Sequence, residues 1–315
     1  MKNILALIIA SMCLAALPAD NAYAELNVVT SIKPINSLVA SVMKDVGKPK
    51  LIIEGAASPH DYALKPSQAA ALENADLIFW VGHELERFLE KPLSTIGSDA
   101  KSVELIEIKD LIVFEFRANE LAENEEDPHH DDTHSQEHDE HHHEGRDPHV
   151  WLHPQNAKTL VSAIEKALAN QDPANAEIYR ANAQATQVRI DQLAEEVRTL
   201  LAPVRDKDYI VFHDAYQYFE NHVGLAPVAS ITVSPEVLPG AARIRTIRQK
   251  VKSTNPACVF SEPQFEPRLI ETIIEGTDVK SATLDPLGAE IPDGPELYGK
   301  LLRKLATSMK DCLSE

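Results

Sequence analysis

The chain carries thirteen histidines in 315 residues, and eight of them fall between Pro128 and His149, in the stretch DPHHDDTHSQEHDEHHHEGRDPH. Imidazole suits zinc, copper, nickel and iron, and a His-rich low-complexity tract is a compositional sign of metal binding without fixed geometry. His129, His130, His134, His138, His141, His142 and His143 therefore read as a multidentate cation collector on a solvated, acidic loop spanning residues 117–147. His149 stands apart from them. The apolar segment Val150-Trp151-Leu152 follows it, and an ordered flank can hold one rotamer where the run cannot.

Single residues elsewhere offer fixed ligands. In open parallel sheets, ligands bind beyond the carboxyl ends of the strands. His60 follows the strand-like Leu51-Ile52-Ile53-Glu54 across the loop 55–59, His213 directly ends Tyr209-Ile210-Val211-Phe212, and Asp285 ends Ser281-Ala282-Thr283-Leu284. With His149 they make three neutral imidazoles and a carboxylate, or a water in its place, a tetrahedral set suited to Zn²⁺ at about 2.0–2.2 Å. Any one of these histidines taken alone also fits a hydrogen-bonded loop or cap residue. Their joint placement is what points to metal. His153 competes with His149, but Pro154 marks a helix start and favours His149. His83 follows a strand and is a candidate peripheral ligand, whereas His222 fits a helix C-terminal cap or surface residue and Trp80 and Trp151 fit packing.

The elements that must position these residues alternate in the α/β manner. Strand-like runs at 26–31, 50–54, 77–81 and 103–107 are interleaved with helical patterns at 36–45, 66–74 and 85–93. A helix at 154–169 follows the acidic loop. A second βα series has strands at 209–212, 228–232, 258–260 and 281–284, with helices at 215–222, 241–254, 267–275 and 296–313. Parallel sheets are expected in both lobes. Between the lobes, residues 173–201 carry Ile178, Ala181, Ala185, Val188, Leu193, Val197 and Leu200 with neither Gly nor internal Pro. At 1.5 Å per residue this is roughly 43 Å of helix, long enough for a rigid strut; two shorter helices broken near Gln184 are the alternative. The resulting organisation is a leader at 1–24, an N-terminal lobe at 25–172, a linking helix at 173–203 and a C-terminal lobe at 204–315.

Lys2, the apolar run from Ile4 to Leu17 and the ending Ala22-Tyr23-Ala24 read as a cleavable secretory signal, which sets an exported protein as the expectation. Beyond it only Cys258 and Cys312 remain, and a cysteine pair in an exported chain reads as a disulfide. The net charge is −19, but residues 115–149 hold 13 acidic against 2 basic side chains and so supply −11 of it. That distribution draws cations to the loop, and without basic patches it excludes nucleic acid as a partner.

Several segments together carry a family resemblance across nearly the whole chain beyond the leader. They are Ala57-Ser58-Pro59-His60-Asp61-Tyr62, Asn74-Ala75-Asp76-Leu77, the His-Asp-Glu loop, His149-Val150-Trp151-Leu152, Phe212-His213-Asp214-Ala215-Tyr216, Ser261-Glu262-Pro263-Gln264 and Leu284-Asp285-Pro286-Leu287-Gly288. In these the chain resembles the cluster A-I solute-binding proteins that deliver zinc or manganese to ABC importers, and among them the periplasmic zinc-binding branch. The resemblance implies two pseudo-symmetric lobes, a long backbone helix and a metal buried between the lobes. It implies His60, His149 and His213 as the zinc imidazoles, with Asp285 matching a carboxylate that can complete the set. Manganese-binding relatives tend to put a carboxylate where His213 stands, so this imidazole argues for zinc. Some zinc-binding relatives have Glu directly before the first ligand; this chain has Pro59, which leaves the fourth ligand open between Asp285 and water. The implied partner is an ABC membrane permease, the cargo is Zn²⁺, and a monomer without enzymatic activity is expected. Manganese or iron delivery by the same fold, and a periplasmic zinc buffer or chaperone serving apo-metalloproteins, are the alternatives. A zinc hydrolase is a more distant one, since no HExxH motif is present.

Overall fold

The computed structural model describes residues 26–117, 145–232, 239–266 and 268–314. The leader at 1–24 and the seven histidines of the tract lie outside them.

The first lobe contains β1 (Val28–Thr30), α1 (Lys33–Val42), β2 (Lys50–Leu51), α2 (Pro66–Glu73), β3 (Leu77–Trp80), α3 (Glu90–Thr95), β4 (Lys101–Glu104) and α4 (Pro154–Gln171). Then comes α5 (Ala176–Leu201), and after it β5 (Tyr209–Val211), α6 (Gln217–Val223), β6 (Ala229–Ser230), α7 (Ala241–Thr254), β7 (Cys258–Ser261), α8 (Arg268–Ile274), β8 (Lys280–Thr283) and α9 (Leu297–Leu313). The two sheets are wholly parallel, with strand orders β2-β1-β3-β4 and β6-β5-β7-β8. These are one order written twice, so the pseudo-symmetry implied by the resemblance is present in the topology. In each sheet the chain leaves the first strand to one side and returns on the other, which opens a crevice at the carboxyl ends.

Strand alternation sorts the core into two layers. Tyr209, Val211, Cys258 and Phe260 face a large core shared with the first lobe, α5 and α9, while Ile210 and Val259 face a smaller one under α7 and α8, with Ile247, Val251, Ile270 and Ile273. Both faces of a parallel sheet are thus covered, as period-two side chains require.

Two expectations shift. The strand expected at 103–107 ends at Glu104, and Leu105–Glu107 turn into a 3-10 helix; Leu105 and Ile106 are buried, but burial of a short apolar run does not choose between strand and turn. The linking helix is unbroken, preceded by a 3-10 turn at Pro173–Asn175. Its buried side chains, however, are Tyr179, Ala183, Thr186, Ile190, Leu193, Val197 and Leu201, while Ile178 and Val188 are exposed at 41% and 55%. Steps of three and four select the buried set, and the five-residue steps needed to join Val188 to Leu193 rotate off the stripe.

The last stretch of chain binds the lobes together. Lys33 of α1 donates to the carbonyls of Ala289 (3.0 Å) and Ile291 (2.8 Å), and Ser41 to that of Pro295 (3.1 Å). Tyr298 donates its hydroxyl to the Trp151 carbonyl at 2.9 Å. Cys258 and Cys312 are disulfide-bonded, tying α9 to β7 across 54 positions, a loop closure of about 4 kcal/mol in the chain-entropy model.

Candidate metal centre

Each ligand candidate reaches the inter-lobe crevice from a different kind of element. His60 comes from the long loop after β2. His213 sits two residues past β5, where Phe212 is packed in the core and the strand has ended. His149 opens the 3-10 turn Val150–Leu152, whose three side chains are fully buried. Trp151 donates its indole N–H to the Pro286 carbonyl at 3.0 Å, which fixes the turn against the second lobe.

His60, His149 and His213 converge. One ring nitrogen of each lies within 4.8 Å of the others, and the Nε2 atoms of His149 and His213 are 3.5 Å apart. Two nitrogens each 2.0–2.1 Å from one tetrahedral ion stand about 3.3 Å apart, so this pair is near its metal-bound spacing. The three rings border a cavity of about 10 Å³, room for about one water-sized occupant.

Two buried carboxylates aim the imidazoles. His149 Nδ1 donates to Asp147 Oδ1 at 2.7 Å and His213 Nδ1 donates to Glu262 Oε1 at 2.7 Å. A proton held on Nδ1 leaves the Nε2 lone pair for metal, the usual outer-partner arrangement of metal-binding histidines. Asp147 is itself clamped: its Oδ1 accepts the His149 N–H at 3.0 Å, and Gln217 donates to Oδ2 at 3.1 Å. Burial, with His149 and His213 adding repulsion, pushes the His60 pKa well below the imidazole range. Burial would lower His213 too, but the Glu262 carboxylate outweighs it and the pKa stands raised.

Asp285 is placed differently. Its Oδ1 accepts the amides of Leu287 and Gly288, both at 3.0 Å, and its Oδ2 that of Ala289 at 2.6 Å. It belongs neither to the imidazole group nor to the cavity lining. His153 caps α4, accepting the Gln155 amide on Nδ1 at 3.1 Å, and His222 in the last turn of α6 contacts the Ala194 carbonyl at 3.0 Å. Trp80 and Trp151 are buried. Sequence reasoning gave no role to Asp147 or Glu262. Glu262 was within reach of the strand-end rule that found His213, being the first residue after β7. Asp147 was not, because a side chain two residues before its partner on an irregular segment has no periodic signature.

Known proteins resemble the chain along most of its length. It is 49% identical to the "High-affinity zinc uptake system protein ZnuA" of Brucella suis over 334 aligned residues, with all of both chains covered. The protein of that name from Yersinia pestis is 39% identical, with 97% and 96% of the two chains covered. Among solved structures, one described as "Crystal structure of ZnuA" superposes with a TM-score of 0.74 at 24% identity, over 92% of this chain and 99% of that one. The model of the zinc-uptake complex component A periplasmic family (ZnuA) matches residues 28–312, and the chain belongs to that family.

Proposed function

We propose that this protein is the solute-binding component of a high-affinity zinc importer, exported by its leader, holding Zn²⁺ as cargo between its lobes and handing it as a monomer to an ABC membrane permease. The observation that carries the reading is the convergence of three imidazoles, two with Nδ1 engaged by a buried carboxylate. Three nitrogens and no carboxylate among the convergent ligand atoms favour zinc over manganese. The fourth ligand is a water. Asp285 spends both its oxygens on backbone amides, and Pro59 offers no side-chain donor in the position where a Glu would serve.

The test is zinc affinity in H60A, H149A and H213A, measured by competition with a chelator. Each substitution should weaken binding by more than the roughly 100-fold that loss of an outer partner costs, and D285N by about tenfold at most. Tight binding that survived in the triple variant would overturn the site, and a loss in D285N equal to that in H213A would return Asp285 to the ligand set.

A further inference from the structure

Among the described residues, one other group converges ligand atoms. Nδ1 of His83 and carboxylate oxygens of Glu84 and Glu104 lie within 4.8 Å of one another. The group sits at the carboxyl end of the first sheet, where Trp80 of β3 pairs with Glu104 of β4, and none of its members borders the cavity between the cleft imidazoles. Glu104 Oε1 is 3.2 Å from His83 Nδ1 and also accepts the His83 amide at 3.2 Å. Glu84 Oε2 stands 3.4 Å from the same nitrogen, buried and without a hydrogen bond. The other Glu84 oxygen accepts from Arg146 Nε at 2.8 Å. Between the carboxylates runs Gly82, where a Cβ would lie 3.0 Å from Glu104 Oε1 and 3.1 Å from Glu84 Oε2, so any larger residue would push them apart.

An imidazolium held by two carboxylates is the simpler account, and it leaves a defect. Nδ1 carries at most one proton and is nearer to Glu104 Oε1, at 3.2 Å, than to Glu84 Oε2, at 3.4 Å, so in this arrangement the buried Glu84 Oε2 is left without a donor. Leaving a buried carboxylate oxygen without a donor is costly. A cation bonded to all three atoms removes the conflict. We propose that His83, Glu84 and Glu104 form a second, peripheral site for a divalent first-row cation, occupied by zinc once the cleft is full. One imidazole and two carboxylates suit Zn²⁺, with water completing the set. The His83 side chain is 51% exposed, so solvent has access. Through Arg146, three residues past His143, Glu84 is tied to the segment that carries Asp147 and His149.

The proposal does not depend on the cleft assignment, and one titration separates the two. Full-length protein is titrated with zinc alone, and crystals soaked in excess zinc are measured at the zinc edge. An anomalous peak bonded to His83 Nδ1 is expected, and H83Q and E104Q should each bind one zinc equivalent fewer at saturation with the tight equivalent unchanged. Unaltered melting temperatures would show both variants folded. Full stoichiometry in H83Q, or no peak at the three side chains under saturating zinc, would overturn it; loss of the tight equivalent in H213A reports on the cleft alone.

Discussion

In the proposed zinc site a histidine is made ready as a ligand by what holds its far nitrogen. Glu262 contributes more than orientation, because its charge keeps the His213 pKa raised against burial. Zinc must displace any proton on Nε2, so affinity falls as pH drops through that raised pKa. His60, its pKa depressed, does not compete until more acid conditions. E262Q removes the raising influence. Zinc affinity at pH 8 should drop by about 10–100-fold, while the acid limb of the affinity profile moves to lower pH. A purely packing role for Glu262 would lower the plateau and leave the limb in place, and a pH series of chelator competitions distinguishes the two.

At the scale of elements, the alternation of strands and helices was legible because each is punctuated by Pro, Gly or polar residues, and α7 begins and ends at the residues expected. Pro154 gave the start of α4, and with it the choice of His149 over His153. What His153 does followed only from the structure. Burial, with nearby His222, pushes its pKa from 6.5 down to about 4, so it stays a neutral acceptor for the Gln155 amide. A lowered histidine pKa contributes stability above pH 6.5 that is lost as pH falls toward 4, where the unfolded chain takes up the proton first. H153A should therefore cost about 1 kcal/mol at pH 7, the worth of a helix N-cap, and the deficit should narrow at pH 5. Urea unfolding at the two pH values measures it. The buried stripe of α5 differs from the expected one for a different reason. An apolar residue such as Val188 costs little when exposed singly, so composition alone does not say which face is inside.

Across the whole molecule, Arg117 and Arg146, on either side of the residues outside the description, are held by the fold. Arg117 donates through Nε to Asp214 at 2.8 Å and pairs with Glu220 at 2.6 Å, and Tyr209 donates to Glu220 at 2.8 Å. Arg146 bridges Glu84 and Glu107. One end is thus anchored to the second lobe and the other to the first. Burial pushes the Glu220 pKa up to about 7 even with Arg117 beside it. Breaking a buried ion pair costs about 3–5 kcal/mol, and partial exposure of Arg117 brings R117M nearer about 2 kcal/mol. The deficit should shrink as pH falls below 7 and Glu220 becomes neutral, which urea unfolding at pH 7 and pH 5 would show. Of the loop expected at 117–147, residues 117 and 145–147 belong to the described fold and residues 118–144 lie outside the described residues. Deleting residues 120–144, with both arginines kept, should leave cleft affinity nearly unchanged and lower the total zinc bound, as equilibrium dialysis against trace zinc would report; loss of the tight site would make the tract a primary ligand donor.

By itself the sequence pointed to the order of elements and to the three histidines that the fold brings together, because strand ends, helix starts and ligand chemistry are local properties of residue type and spacing. Only the tertiary structure decided that Asp285 faces its own turn, that Asp147 and Glu262 hold the imidazoles, and that Arg117 and Arg146 anchor the tract to opposite lobes. Those are contacts between groups as far as 103 residues apart, and which oxygen faces which nitrogen depends on how two sheets and the helix between them pack.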